Sequence, residues 1–212
     1  GAVSLKTGSS TEGDVGKIEI LTGDASDGRG GSIDIAVGAS ENTVGGSLTM
    51  HAGSSTSSTG GSFIVTSGSS VAAASGGVTI ESNAGVSSGS IRIQSGSAST
   101  SSGQISLKTG ASSSTAGKIA IKVGTSENVG GSISLNAGSS TTATGGSVIL
   151  VSGQGLSSHS GSLTVETSNA GSEGSSGAIV LGTGAAQTGT SGSMSLSTGA
   201  SQQAGGISIA VG

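Results

Sequence analysis

The sequence of 212 residues has no cysteine, proline, tryptophan or tyrosine, and its single aromatic residue is Phe63. Without cysteine there is no disulfide framework and no thiolate metal site. Without aromatic rings there is no platform on which successive bases could stack. Charge is scarce as well: seven Lys and Arg stand against eleven Asp and Glu, a net charge of -4. That balance gives no basic footprint for a phosphate backbone, so no nucleic acid is expected as a partner. No apolar run approaches the roughly 18 residues of a membrane helix, and the first residues do not read as a charged-then-apolar leader. Membrane insertion is therefore not expected.

What the chain does contain is glycine and serine, 43 and 50 residues respectively. Such a composition ordinarily marks a flexible linker. Here, however, the apolar residues are placed. A pattern G-x-Φ-x-Φ-x-small-G, with Φ aliphatic, Met or Phe, begins at Gly1, Gly16, Gly31, Gly46, Gly61, Gly76, Gly89, Gly103, Gly117, Gly131, Gly146, Gly161, Gly177, Gly192 and Gly205. The Φ sites include Ile18/Ile20, Ile33/Ile35, Phe63/Val65, Ile119/Ile121, Ile133/Leu135 and Val148/Leu150, and both sites of all fifteen pairs are aliphatic, Met or Phe. A disordered linker has no reason to keep such a register.

Alternation at a spacing of two is the signature of a half-buried strand, and a period of 13 to 16 residues matches one coil of a stacked solenoid. A helix is excluded, because apolar pairs two apart and then absent for about a dozen residues make no stripe at 3.6 residues per turn. The pattern therefore predicts an all-β fold. Residues 1–212 would form one continuous parallel β-solenoid of about 15 short, flattened coils with in-register strands and no caps. The Φ pairs named above would form its core ladder. Strands stacked at about 4.8 Å would make a rod of about 70 Å. The glycine at the eighth position, as in Gly8, Gly23, Gly38, Gly53 and Gly68, is expected to turn the chain with a positive φ, and Asn83 takes that place once. The returning segments, rich in Ser, Ala and Thr, would form the thin opposite wall.

A longer period lies over the short one. His51–Gly61 (HAGSSTSSTGG) returns as Asn136–Gly146 (NAGSSTTATGG), and Val78–Gly85 (VTIESNAG) returns as Leu163–Gly171 (LTVETSNAG). Six repeats thus make a super-repeat of about 85–89 residues, read from the spacing of the repeat starts. Leu21, Ile64, Ile149, Val151 and Val180 fall on the outward side of the pattern, which makes them candidate lateral contacts between rods.

Motifs that would carry chemistry are weak. Gly85-Val86-Ser87-Ser88-Gly89 fits G-x-S-x-G, but no helix follows it, as a nucleophile elbow requires. Lys17 and Lys118 follow glycine but precede Ile, so no phosphate loop is present. His51 and His159 stand alone, which leaves no zinc pair. Asp24 and Asp27 form the densest acidic loop and are the candidate metal ligands. They lack both the twelfth-position Glu of an EF-hand and the calcium β-roll repeat. No catalytic or cofactor-binding residue is assigned and no cofactor is expected; the chain reads as a non-enzyme. Short coils with flat Thr ladders suit ice binding, but the outward column runs Glu19, Asp34, Thr49, Ile64, Thr79, Arg92, which is not a Thr array.

Gly1 opens in phase and Gly212 ends on a turn glycine, so the rod is expected to stack end to end on further copies or to belong to a longer array. In composition and repeat style the chain resembles the Gly/Ser/Thr-rich tandem arrays of surface fibres, stalks and adhesins of microbes and protists. The resemblance implies a structural, fibre-forming protein at the cell surface or outside the cell, with self as its partner. It also implies exposed Ser and Thr open to O-glycans. Readings that stay open are an ice-binding solenoid and an adhesin stalk.

Overall fold

A computed structural model describes residues 1–203 and 205–211. The chain divides into two units, Gly1–Ile105 and Ser106–Gly212, with the division inside the repeat that starts at Gly103. Among the described residues there is no helix and no β-strand. The expected all-β parallel solenoid is therefore overturned. A parallel sheet requires a ladder of backbone hydrogen bonds between one repeat and the next. The backbone bonds of this chain are instead local, joining residues three or eight apart. Close approaches are overwhelmingly between residues fewer than twelve apart, so successive repeats do not lie strand on strand.

The enclosed core falls with the sheet. Among the described residues no hydrophobic side chain is buried, and the accessible surface is 21106 Å². A globular protein of 19.4 kDa exposes about 8,500 Å² and its unfolded chain about 28,000 Å². The chain thus stands much closer to the unfolded limit. Two aliphatic side chains in a repeat of about fifteen residues supply little apolar surface against the entropy of ordering that repeat. Frequent glycine raises the entropic cost further.

What replaces the solenoid is a regular series of Ω-shaped loops separated by bend-free apolar segments. Bends occur at 11–13, 26–28, 41–43, 56–58 and 71–73 in the first five repeats, and at 141–143, 156–158 and 187–189 further on. Each begins ten residues after its repeat's first glycine. In several repeats a serine one place before the bend bonds across it. Ser55 Oγ accepts from Ser58 N at 2.9 Å, Ser70 Oγ from Ala73 N at 2.9 Å and Ser140 Oγ from Ala143 N at 2.9 Å. Serine hydroxyls favour this short-range bond, which competes with regular structure.

The returning chain closes on itself at a neck. Gly61 N donates to Gly53 O at 2.8 Å, Gly76 N to Gly68 O at 2.9 Å, Gly146 N to Gly138 O at 2.8 Å and Gly161 N to Gly153 O at 2.9 Å. At some of these necks a side chain on the repeat's first residue would be crowded. A Cβ on Gly61 would lie 3.3 Å from Gly53 N, and one on Gly146 would lie 3.2 Å from Gly138 N and 3.4 Å from the Ala137 Cβ. Where the seventh residue is larger the space is already taken: a Cβ on Gly46 would meet Val37 Cγ1 at 2.5 Å, and one on Gly131 would meet Val123 Cγ1 at 2.7 Å.

The expected positive φ at the eighth-position glycines is also corrected. Gly13 alone among the described residues has a positive φ, of 87°, and it lies in a bend rather than at the eighth position. Gly8, Gly23, Gly38, Gly53 and Gly68 do not, and neither does Asn83. The reversal of direction happens in the bend, two to five residues further on, so nothing demands left-handed backbone at the eighth position.

Candidate functional site

The one feature repeated along the whole chain is the aliphatic ladder, and its geometry comes from the segments between loops. Ile18 and Ile33 at the first Φ site are 49% exposed, whereas the outward Ile64 and Ile149 are 78% exposed. The second Φ sites are more exposed, Ile20 at 65% and Ile80 at 73%, so the shielding is confined to the first Φ site of some repeats. Val37 and Val123, at the seventh position, are the most shielded large side chains, at 47%, because the next repeat's first glycine returns against them.

All the ladder residues, Ile18, Ile20, Ile33, Ile35, Phe63, Val65, Ile119, Ile121, Ile133, Leu135, Val148 and Leu150, are exposed. They line one side of their own segments and enclose nothing. The lateral candidates Leu21, Ile64, Ile149, Val151 and Val180 are more exposed still. Asp24 and Asp27 lie in and just before the bend at 26–28. Among the described residues no third carboxylate or imidazole joins them, and no group of three such side chains converges anywhere. His51 and His159 are exposed on separate repeats.

Charges are equally dispersed. Among the described residues the one ion pair joins Lys17 Nζ to Glu19 Oε1 at 2.7 Å, two residues apart on one side of a segment. No cavity is present among the described residues. Among the described residues no helix is long and apolar enough to cross a membrane. What each repeat offers chemically is a pair of exposed aliphatic side chains on a segment flanked by hydroxyl-rich loops.

The neck was not foreseen from the sequence, although its signal was there. A repeat's first glycine returns towards the seventh residue of the repeat before it, most closely at Val37/Gly46 and Val123/Gly131, and Ser stands one place before five of the eight bends named above. No protein-family model matches the chain, and neither a curated protein nor a solved structure matches it.

Proposed function

We propose that this chain is a structural, fibre-forming protein whose copies assemble with one another, so that the aliphatic ladder acquires its cover between molecules. The observation that carries the reading is the ladder itself. All fifteen repeats place aliphatic, Met or Phe residues at both Φ sites, and every one of those side chains is left exposed by its own chain. Apolar side chains that recur at fixed places and that a chain cannot cover for itself mark a surface open to interaction. Identical repeats offer the same side chains on every copy, which favours self-association over a single foreign partner. The hydroxyl-rich loops keep the remaining surface hydrated and nearly uncharged, and O-glycans would attach there. A place outside the cell or on its surface follows from the likeness to surface-fibre arrays, and a non-enzymatic role fits the dispersed charges.

Sedimentation velocity with electron microscopy of the purified full chain tests the reading. Filaments, or large sedimenting assemblies that grow with concentration, are the expected result. A monodisperse 19.4 kDa species at every concentration overturns it.

A further inference from the structure

Of the aspartates in this chain only one is followed by glycine. Asp14 precedes Val15, Asp24 precedes Ala25, Asp34 precedes Ile35 and Asp27 precedes Gly28. The following residue matters because its backbone nitrogen can reach the aspartate's own side-chain carboxyl carbon by closing a five-membered ring. A Cβ on that residue, above all a β-branched one, crowds the approach, whereas glycine leaves it open. Asp27 and Gly28 lie in the bend at 26–28, and both are exposed. The space around Gly28 is empty, since a Cβ placed there would meet nothing within 4 Å. No ion pair among the described residues holds the Asp27 carboxylate.

The loop that carries them is weakly tied. Ring closure needs the peptide between Asp27 and Gly28 to turn its nitrogen toward the carboxyl carbon, and backbone hydrogen bonds around the loop would resist that rotation. The loop from Gly23 to Gly31 has no backbone bond at its neck. Thr22 Oγ1 donates to Gly31 O there instead, at a long 3.4 Å. By contrast, the four loops that close with a backbone bond, at 53–61, 68–76, 138–146 and 153–161, contain neither aspartate nor asparagine.

We propose that Asp27 is a modification site, at which the chain isomerises spontaneously to isoaspartate through a cyclic imide with Gly28. The Gly28 nitrogen bonds to the Asp27 side-chain carboxyl carbon; its proton and the carboxyl hydroxyl leave together as one water. Water then reopens the ring. Addition at the side-chain carbonyl restores aspartate, and addition at the main-chain carbonyl routes the backbone through the Asp27 Cβ and leaves a free carboxylate on its Cα. No oxidant, cofactor or enzyme takes part, and composition and charge are unchanged. The bend at 26–28 gains one backbone bond in length, so the conformation of a single loop changes with the age of the molecule. This chemistry does not depend on self-assembly.

The test is storage of the dilute full chain in neutral buffer at body temperature, followed by tryptic digestion and mass spectrometry. Cleavage after Lys17 and Arg29 releases residues 18–29 as one peptide that holds both Asp24 and Asp27, so each sample carries its own reference. Isoaspartate, read from electron-transfer fragments of a separately eluting product of unchanged mass, is expected at Asp27 about tenfold faster than at Asp24, where Ala25 crowds the ring. Gly28→Ala is accommodated without strain, because the space is empty and φ is not positive, and should lower Asp27 to the rate of Asp24. Storage in strong denaturant should change the Asp27 rate less than about threefold, since the native loop is already free to rotate. Equal rates at Asp24 and Asp27, or an undiminished rate in Gly28→Ala, overturn the proposal. So does a native rate more than about tenfold below the denatured one, which would show that the bend protects Asp27.

Discussion

The loop from Gly53 to Gly61 and the loop from Gly38 to Gly46 adjoin in sequence and are equal in length, yet the first closes with a backbone hydrogen bond and the second does not. Both are preceded at the closing end by a second glycine, Gly60 and Gly45, so glycine pairing is not the cause. The difference is the seventh residue, Ala52 in one and Val37 in the other. The comparison extends along the chain. The four bonded loops, closing at Gly61, Gly76, Gly146 and Gly161, have Ala52, Ser67, Ala137 and Ser152 at that position. The loops of equal span closing at Gly16, Gly31, Gly46 and Gly192 have Thr7, Thr22, Val37 and Thr183, and none is bonded. Shorter loops, such as Gly96 to Gly103 behind Ser95, are unbonded despite a small residue. Two conditions thus close a neck: a span of eight, and a seventh side chain without a β-branch to hold the returning backbone away.

The sharpest way to break this comparison is to spoil a bonded neck without touching the seventh residue. Gly155 lies in the loop closed by Gly161, and a Cβ there would overlap the His159 carbonyl oxygen and lie 2.6 Å from Ser158 O. Backbone atoms cannot swing aside as a side-chain end can, so Gly155→Ala should force the loop open. Amide hydrogen exchange at Gly161 is expected to accelerate by about tenfold or more, matching loss of the neck bond at the upper end of a typical backbone bond's net worth. Gly153→Ala is the control, because nothing lies within 4 Å of its Cβ position and its φ is not positive. Equal exchange in the two variants would show that loop path does not matter.

A reciprocal exchange of the seventh residue probes the rule itself. Ala52→Val should cost the Gly61-to-Gly53 bond, worth about 1 kcal/mol, and speed exchange at the Gly61 amide about fivefold. Val37→Ala should let Gly46 approach Gly38 and slow exchange at the Gly46 amide by a similar factor. If Val37→Ala leaves Gly46 unprotected, side-chain bulk is not what keeps that neck open.

The same residues show how far the sequence could be read. The repeat starts, the ladder positions and the six-repeat period all follow from spacing, and the bends occur in step with them, beginning at the eleventh residue of each of the first five repeats. Alternation at Ile18 and Ile20 assigns them one side of a segment. It carries no information on whether a neighbouring segment hydrogen-bonds to it, and the step from alternation to a stacked sheet failed there. Gly38 and Gly53 were read for their conformational freedom, whereas the closure depends on Gly46 and Gly61 lacking a Cβ. The distinction is between local patterns, which one repeat reveals, and pairings between repeats, which no single repeat encodes. The ladder's cover belongs to the second kind.

The smallest expected effect concerns the bend. Ser140 Oγ accepts from Ala143 N at 2.9 Å and from Thr142 N at 3.4 Å, yet the tenth position is Ala25 or Ala186 in repeats that bend at the same place. The hydroxyl therefore trims the bend without creating it, and the loop's span and its neck do the rest. Ser140→Ala should remove about 0.5 kcal/mol of local stability and speed exchange at the Ala143 amide about twofold, leaving the Gly146 amide unchanged. Equal acceleration at Gly146 would mean that bend and neck open as one unit. The seventh residue would then act on the whole loop rather than on its closure alone.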